Sequence, residues 1–259
     1  MRFTFLLFCL FLFSAVSMAE NHPDEKNILQ KGNCETPKPF TNLSHCDFSG
    51  KKILNADLRG VKLDGTKLDN AQFIDCNLEG ASIRKSSLKW SNFSGCNLKN
   101  VDLQESNLFH TQFDGANLNN ANLSKAFMFG TKINFAMAHN AFFNEAHMKD
   151  INMEETDLTG SEIKNSKMLR AVLINSILVN VDLSGSNLTG AALEESNLNQ
   201  TIMHETTLNG SQLTDTSLIG SDLKDAHFDN VLFENTDFSR AKNIPDALYK
   251  QMDSSGKIH

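Results

Sequence analysis

The residue types that could carry catalysis or bind a metal are scattered along this chain. Its histidines lack the short, regular spacings that zinc sites use. Those considered are His45, His110, His139, His147, His204 and His227. Serine and threonine are plentiful, but the sequence has no Gly-x-Ser-x-Gly element and no glycine-rich phosphate loop. The sequence therefore predicts a protein that is not an enzyme, with no catalytic residue, no metal site and no cofactor.

What the sequence does contain is a five-residue period. Every fifth residue from Leu43 to Phe238 is apolar, giving 40 central positions held by 22 Leu, 8 Phe, 5 Met, 4 Ile and one Ala. Two residues before each centre stands Ala, Ser, Thr, Val or Cys, except at Lys51 and Ile151. Internal repeats of this regularity indicate the fold more strongly than any other pattern in the sequence.

A period of five fits neither a plain helix nor a plain strand. Five steps along an α-helix rotate by about 140°, and five steps along a strand end on the opposite face. The repeats become equivalent only if the backbone turns once per repeat, with the centre and the preceding small residue pointing inward. The chain is therefore expected to coil around its own core, and successive coils stack about 4.8 Å apart.

These repeats resemble the pentapeptide-repeat family, whose motif is Ala-(Asp/Asn)-Leu-X-X. Close matches begin at Ala56, Cys96, Ala116, Ala121 and Ser186. The resemblance covers about residues 41 to 242 and implies an all-β fold, a right-handed quadrilateral β-helix with 20 residues per coil. Forty repeats then make about ten coils, a rod roughly 48 Å long at about 4.8 Å per coil.

The start of the chain is typical of a secretory signal peptide. Arg2 precedes an apolar run from Phe3 to Val16, and cleavage is expected after Ala19. The run is shorter than a membrane-spanning helix, so no membrane span is expected in the mature chain. The mature chain has 23 basic and 31 acidic residues, which gives a nucleic-acid partner no electrostatic attraction. The protein is expected to be periplasmic or secreted, with the periplasm, the exterior, a host and an organelle lumen all open.

The cysteines suggest one disulfide and leave a second undecided. Cys34 and Cys46 flank a proline-containing loop, so an oxidising compartment is expected to join them over the first coil. Cys76 and Cys96 are 20 residues apart at equivalent small positions and should stack in adjacent coils. Their parallel side chains favour buried thiols, although a bridge between them stays open.

Four segments follow from these patterns. Residues 1–19 form the signal peptide, 20–40 an N-terminal segment and cap, 41–242 the solenoid, and 243–259 a C-terminal cap helix and tail. The helix is expected near Asn243–Tyr249, where Asn243 and Pro245 are helix-starting residues. The small centre at Ala138 also predicts a local bulge, with Phe135 or Met137 turned partly inward.

Apolar residues at outward positions supply the candidate interaction surface. Phe109 and Phe129 should stack, with Phe127 and Trp90 beside them and Leu169 continuing the column two coils later. We expect this surface to bind an unknown protein partner or to form a homodimer, although scattered surface apolar residues would look similar. A second reading comes from the resemblance, since some family members mimic duplex DNA and bind DNA gyrase. An export signal and interspersed lysines disfavour it here.

Overall fold

The computed structural model describes residues 29–258. The segment predicted as a signal peptide lies outside the described residues. Strands β1 (Lys52–Leu54) and β2 (Gln72–Ile74) pair in parallel, with Ile53 opposite Phe73. Strands β3 (Thr236–Asp237) and β4 (Lys257–Ile258) pair antiparallel, and helix α1 spans Asp246–Tyr249 between them. Most of the remaining pairing consists of single parallel bridges between residues 20 apart.

Each coil consists of four five-residue repeats, and a turn follows nearly every central residue. At Leu108, for example, the backbone N–H donates to the Phe127 carbonyl at 2.7 Å, and the Phe127 N–H donates to the Ser106 carbonyl at 2.9 Å. The Thr111 N–H donates to the Leu108 carbonyl at 3.0 Å and closes the corner. Hydrogen bonds of this kind satisfy the backbone from coil to coil, as a β-helix requires.

The core is made by the central residues and the small residues before them. Of the 40 centres, 37 are buried, and the three others, Ile53, Phe228 and Phe233, lie in the first and last coils. Most buried serine and threonine hydroxyls donate to a carbonyl 23 residues earlier, as Thr131 does to Leu108 at 2.7 Å, and a few donate to the carbonyl three residues earlier, as Thr66 does to Leu63. These hydrogen bonds offset the cost of burying a hydroxyl.

Cys76 and Cys96 are both buried free thiols. The Cys96 thiol donates to the Phe73 carbonyl at 2.9 Å, and the Cys76 N–H contacts the Cys96 sulfur at 3.3 Å. Serine makes the same two contacts at Ser106, which lies half a coil further along the chain. The hydrogen bond with Cys76 and burial both raise the pKa of the Cys96 thiol. This pair therefore packs as serine does elsewhere in the core.

The predicted bulge at Ala138 is absent from this part of the chain, so that prediction was wrong. Ala138 is fully buried, while Phe135 and Met137 are 61% and 47% exposed. Met137 forms backbone bridges to Asn117 below and Asp157 above. Turning its side chain inward would break both bridges and leave backbone groups without hydrogen-bond partners, which is costly in a buried ladder.

The two ends are closed by different devices. Near the N-terminus Cys34 and Cys46 are joined by a disulfide bond, with Cα atoms 5.5 Å apart. At the other end Leu248 of α1 is buried against the last coil. The expected tail after α1 is in fact paired, because β4 folds back along β3 and buries Ile258.

Candidate functional site

The candidate site is a group of six rings on one side of the rod, which we call the aromatic cluster. It lies on the face formed by the repeats centred on Leu88, Leu108, Met128 and Met148, which we call the cluster face. Its members are Trp90, Phe109, His110, Phe127, Phe129 and His147. Because residues 20 apart stack in adjacent coils, rings far apart in sequence meet on this face.

Three phenylalanine rings form the middle of the aromatic cluster. Phe109 stacks on Phe129 with centroids 5.5 Å apart and planes 10° apart. Phe127 lies nearly parallel to Phe109, at 6.4 Å and 6°. Parallel rings at these separations attract one another beyond simple area burial. Phe109 and Phe129 are partly buried, whereas Phe127 remains 42% exposed.

Trp90 and His110 extend the aromatic cluster on one side. The two rings stack with centroids 4.2 Å apart and planes 8° apart, and Trp90 meets Phe109 edge-on at 5.4 Å. Trp90 is 56% exposed. His110 can lie over the next coil because residue 130 is glycine: a Cβ at Gly130 would sit 2.5 Å from the His110 ring. Gly130 also has a φ of 62°, which glycine adopts without strain.

His147 completes the aromatic cluster at its other end, where Lys149 and Arg170 border it. The Lys149 ammonium lies 5.9 Å from the Phe129 ring centroid, within the range of a cation–π contact. His147 meets Phe127 with ring centroids 6.3 Å apart. One coil further, the Arg170 guanidinium donates two hydrogen bonds of 2.7 Å to the Asp150 carboxylate. The cluster face therefore passes from exposed rings to a cationic border.

The structure brings together four of the five residues predicted from the sequence. Trp90, Phe109, Phe127 and Phe129 all belong to the aromatic cluster. Leu169 occupies the same column as Phe109 and Phe129, but Lys149 stands at the intervening position. Leu169 therefore belongs to the border rather than to the stack of rings.

Sequence reasoning missed His110, His147 and Lys149. Each of them could have been found by adding 20 to a residue already chosen, since Trp90 is followed by His110, Phe127 by His147 and Phe129 by Lys149. From the sequence, the histidines were considered only as metal ligands, so the packing of their rings against other aromatic rings was not predicted. Within residues 29–258, no helix has the length and apolar character needed to cross a bilayer.

Family models match most of the solenoid. The pentapeptide repeat region model matches residues 41–113 and 66–142, and the pentapeptide repeats (8 copies) model matches 166–204 and 211–242. No curated protein matches the sequence. The matches to the family models cover about two thirds of the chain.

Several solved structures resemble this chain at low sequence identity. HetL, a pentapeptide repeat protein involved in heterocyst differentiation regulation in the cyanobacterium Nostoc, is 22% identical, with 83% of this chain and 92% of that chain covered and a TM-score of 0.47. A trypsin-treated variant of QnrB1, a plasmid-mediated fluoroquinolone resistance protein, is 19% identical, with 69% and 92% covered and a TM-score of 0.45. A thylakoid-lumen pentapeptide repeat protein of Arabidopsis thaliana is 16% identical, with 59% and 81% covered and a TM-score of 0.16.

Proposed function

The chain belongs to the pentapeptide repeat family, and on that premise we propose that it is an exported, non-enzymatic scaffold that binds a partner protein through the aromatic cluster. The right-handed sense of the coil and a length of about ten coils are part of this proposal. The rod supplies a rigid backbone, and the residues that point outward are not constrained by the core. The side chains on one face can therefore determine which partner binds.

The observation that carries this proposal is the contact among the rings. Isolated exposed apolar residues are normal on soluble proteins, but clustered ones mark interaction sites. Trp90 and Phe127 are 56% and 42% exposed within a contiguous group of rings. Aromatic residues in such groups carry a large share of binding energy at protein interfaces.

Export is the second part of the proposal, and it rests on the first 19 residues. They carry a basic start, an apolar run and a small residue at the expected cleavage position. The compartment is therefore proposed to be the periplasm or the exterior. A reporter fused behind residues 1–30 should be exported, and a reporter retained in the cytoplasm would contradict this part alone.

The alternative function, mimicry of DNA in binding a topoisomerase such as DNA gyrase, receives less support. That role needs a regular acidic surface, whereas the cluster face carries lysine beside its rings. Export would also separate this chain from a cytoplasmic enzyme. A gyrase supercoiling assay in which the chain inhibits the enzyme would favour this alternative.

Replacement of two central rings tests the binding proposal. The mature chain, residues 20–259, is compared with Phe109→Ser/Phe129→Ser in light scattering and in a pull-down from the exported fraction of the source organism. The double variant should lose its partner or its self-association. It should keep its fold, because both residues point outward.

A matched control separates the aromatic cluster from exposed aromatics in general. Phe135→Ser/Phe142→Ser removes two rings that are 61% and 38% exposed on the other faces. This control should keep the association. If Phe109→Ser/Phe129→Ser associates as the wild type does, or if the control loses association equally, the aromatic cluster is not the binding site.

A further inference from the structure

We infer that the aromatic cluster binds an acidic, apolar segment of its protein partner, an inference that rests on the proposed function and names the chemistry of the partner. Apolar side chains of that segment cover the rings, and its carboxylates meet Lys89, Lys149 and Lys167.

The first observation is that the cluster face is cationic in an acidic protein. Five successive coils, residues 81–180, place four cations and one carboxylate on this face; they are Lys89, Lys149, Lys167, Arg170 and Asp150. In the same coils the other three faces carry no net positive charge. Their charged residues sum to zero on two faces and to −2 on the third. Positive charge is therefore concentrated where the rings are.

The second observation is that these lysines have no carboxylate partner among the described residues. Within the described part of the chain, Lys89, Lys149 and Lys167 form no salt bridge, and all three side chains are exposed. The cations of a neighbouring face are paired instead, as in Lys85–Glu105 at 3.5 Å and Lys125–Glu145 at 3.7 Å. The single carboxylate of the cluster face, Asp150, is held by Arg170. Three cations thus remain available to an incoming anion.

The third observation is that exposed rings lie beside these lysines. Trp90 and Phe127 are 56% and 42% exposed, and the Lys149 ammonium lies 5.9 Å from the Phe129 ring centroid. The exposed rings and the lysines therefore favour the same occupant, one that combines apolar groups with carboxylates.

The spacing of the cations limits the length of that segment. Lys89 and Lys149 are three coils apart, or about 14 Å at 4.8 Å per coil. An extended peptide rises by about 3.3 Å per residue, so two carboxylates about four residues apart reach both lysines. The apolar residues between them then lie over Phe109 and Phe129. The occupant fits a short extended segment with acidic residues at both ends.

A second copy of this chain is a poorer occupant of the same surface. A two-fold dimer would place the cluster face against itself, so that each lysine met the cations of its mate. Like charges brought together at an interface cost free energy. Charge complementarity therefore favours a foreign acidic segment over self-association.

Peptide selection tests the inference directly. A phage library of random 12-residue peptides is selected on the mature chain, and the most enriched peptide is synthesised and titrated. Enriched peptides should carry net negative charge with at least one aromatic or branched aliphatic residue. Binding of the synthesised peptide should weaken as salt is raised, because screening reduces the attraction between exposed charges.

Two charge-reversal variants provide the matched comparison. Lys89→Glu/Lys149→Glu should raise the Kd of the enriched peptide at least about tenfold, since close charge pairs at interfaces contribute on that order. Lys99→Glu/Lys132→Glu makes the same change in net charge with exposed, unpaired lysines of two other faces, and should leave the Kd within about twofold.

The possible outcomes separate the inference from the proposed function. If Phe109→Ser/Phe129→Ser abolishes binding while Lys89→Glu/Lys149→Glu does not weaken it, the proposed function stands and the acidic occupant is wrong. Enriched peptides that are neutral or basic would also overturn the inference. If vesicles of phosphatidylglycerol bind the wild type and compete with the peptide, the occupant is a membrane surface instead. If neither variant changes binding, both proposals fail.

Discussion

The N-terminal and C-terminal ends of the solenoid solve the same problem by different means. Each end must cover a hydrophobic core that coils elsewhere cover for one another. The N-terminal end uses a disulfide between Cys34 and Cys46, which flank the first central residue, Leu43. The C-terminal end uses α1 and β4, which bury Leu248 and Ile258. One closure is covalent and the other depends on packing and hydrogen bonds.

The C-terminal closure is also less complete. The last coil and α1 leave a pocket of about 340 Å³ between them that is open to solvent, and Phe228, Phe233 and Leu248 are among the residues that line it. Phe228 and Phe233 are only partly buried, unlike nearly all other centres. Because the interior coils are almost equivalent, differences in stability along this rod arise at its ends. The C-terminal end should therefore open first.

Removal of the C-terminal closure should lower the stability of the rod more than any other change considered. Deleting residues 243–259 removes buried Leu248 and Ile258, each contributing about 1.5–3 kcal/mol. The deletion should lower the thermal midpoint clearly and remove amide protection from the last coil. Hydrogen exchange of Leu218 to Phe238 measures this, with the coils near Leu108 as an internal reference. An unchanged exchange pattern would mean that the last coil needs no closure.

Removal of the disulfide should have a smaller effect, confined to the opposite end. A disulfide that closes a loop of this size contributes about 3 kcal/mol, so Cys34→Ser/Cys46→Ser should expose the first coil to exchange and proteolysis. Cys76→Ser/Cys96→Ser serves as the control, because serine makes the same contacts at equivalent positions. The control should be close to wild type. Equal destabilisation by both pairs would contradict a special role for Cys34 and Cys46.

Acid should produce the smallest effect, again at the C-terminal end. The Asn243 amide donates to the Asp222 carboxylate at 2.7 Å and, with His204, holds the pKa of Asp222 below its ordinary value of 3.8. A lowered carboxyl pKa stabilises the fold above about pH 4, and this contribution is lost as the pH falls through the lowered value. Protection factors near Asn243 should therefore decrease below about pH 4.

Asp222→Asn is the control for the acid experiment. This variant should show little further loss of protection near Asn243 on acidification, since the titrating group is gone. The first coil also contains two carboxyls of lowered pKa, Asp47 and Asp57, but their hydrogen-bond partners Ser49 and Arg59 are each two residues away and join no coils. If acid opened the N-terminal end before the C-terminal end, the expectation that the C-terminal end is the weaker closure would be wrong.

The repeat was predictable from the sequence because one physical requirement recurs at every coil. Each central residue must face inward, so 40 apolar positions mark the core without any long-range information. The candidate site was partly predictable for the same reason, since the 20-residue stacking placed Phe109 over Phe129. His110 was missed although the same stacking places it beside Trp90.

What could not be predicted depends on interactions that the repeat does not encode. The pairing of β4 with β3 joins residues that share no motif, so a tail was expected where a strand exists. The bulge expected at Ala138 was wrong because side-chain volume was weighed without the two backbone bridges of Met137. The ring contacts of His147 and Lys149 similarly depend on which side chains happen to lie one coil further.

The bridges between residues 20 apart also determine the order in which the coils unfold under force. Under tension applied to the two chain ends, a coil can leave only after the coil outside it has left. The disulfide closes a loop at the N-terminal end without joining two coils, so the rod should unravel from its ends in equal steps. Each step releases 20 residues, or about 70 Å of extended chain. A partner bound to the middle coils would therefore stay bound until several outer coils had unfolded.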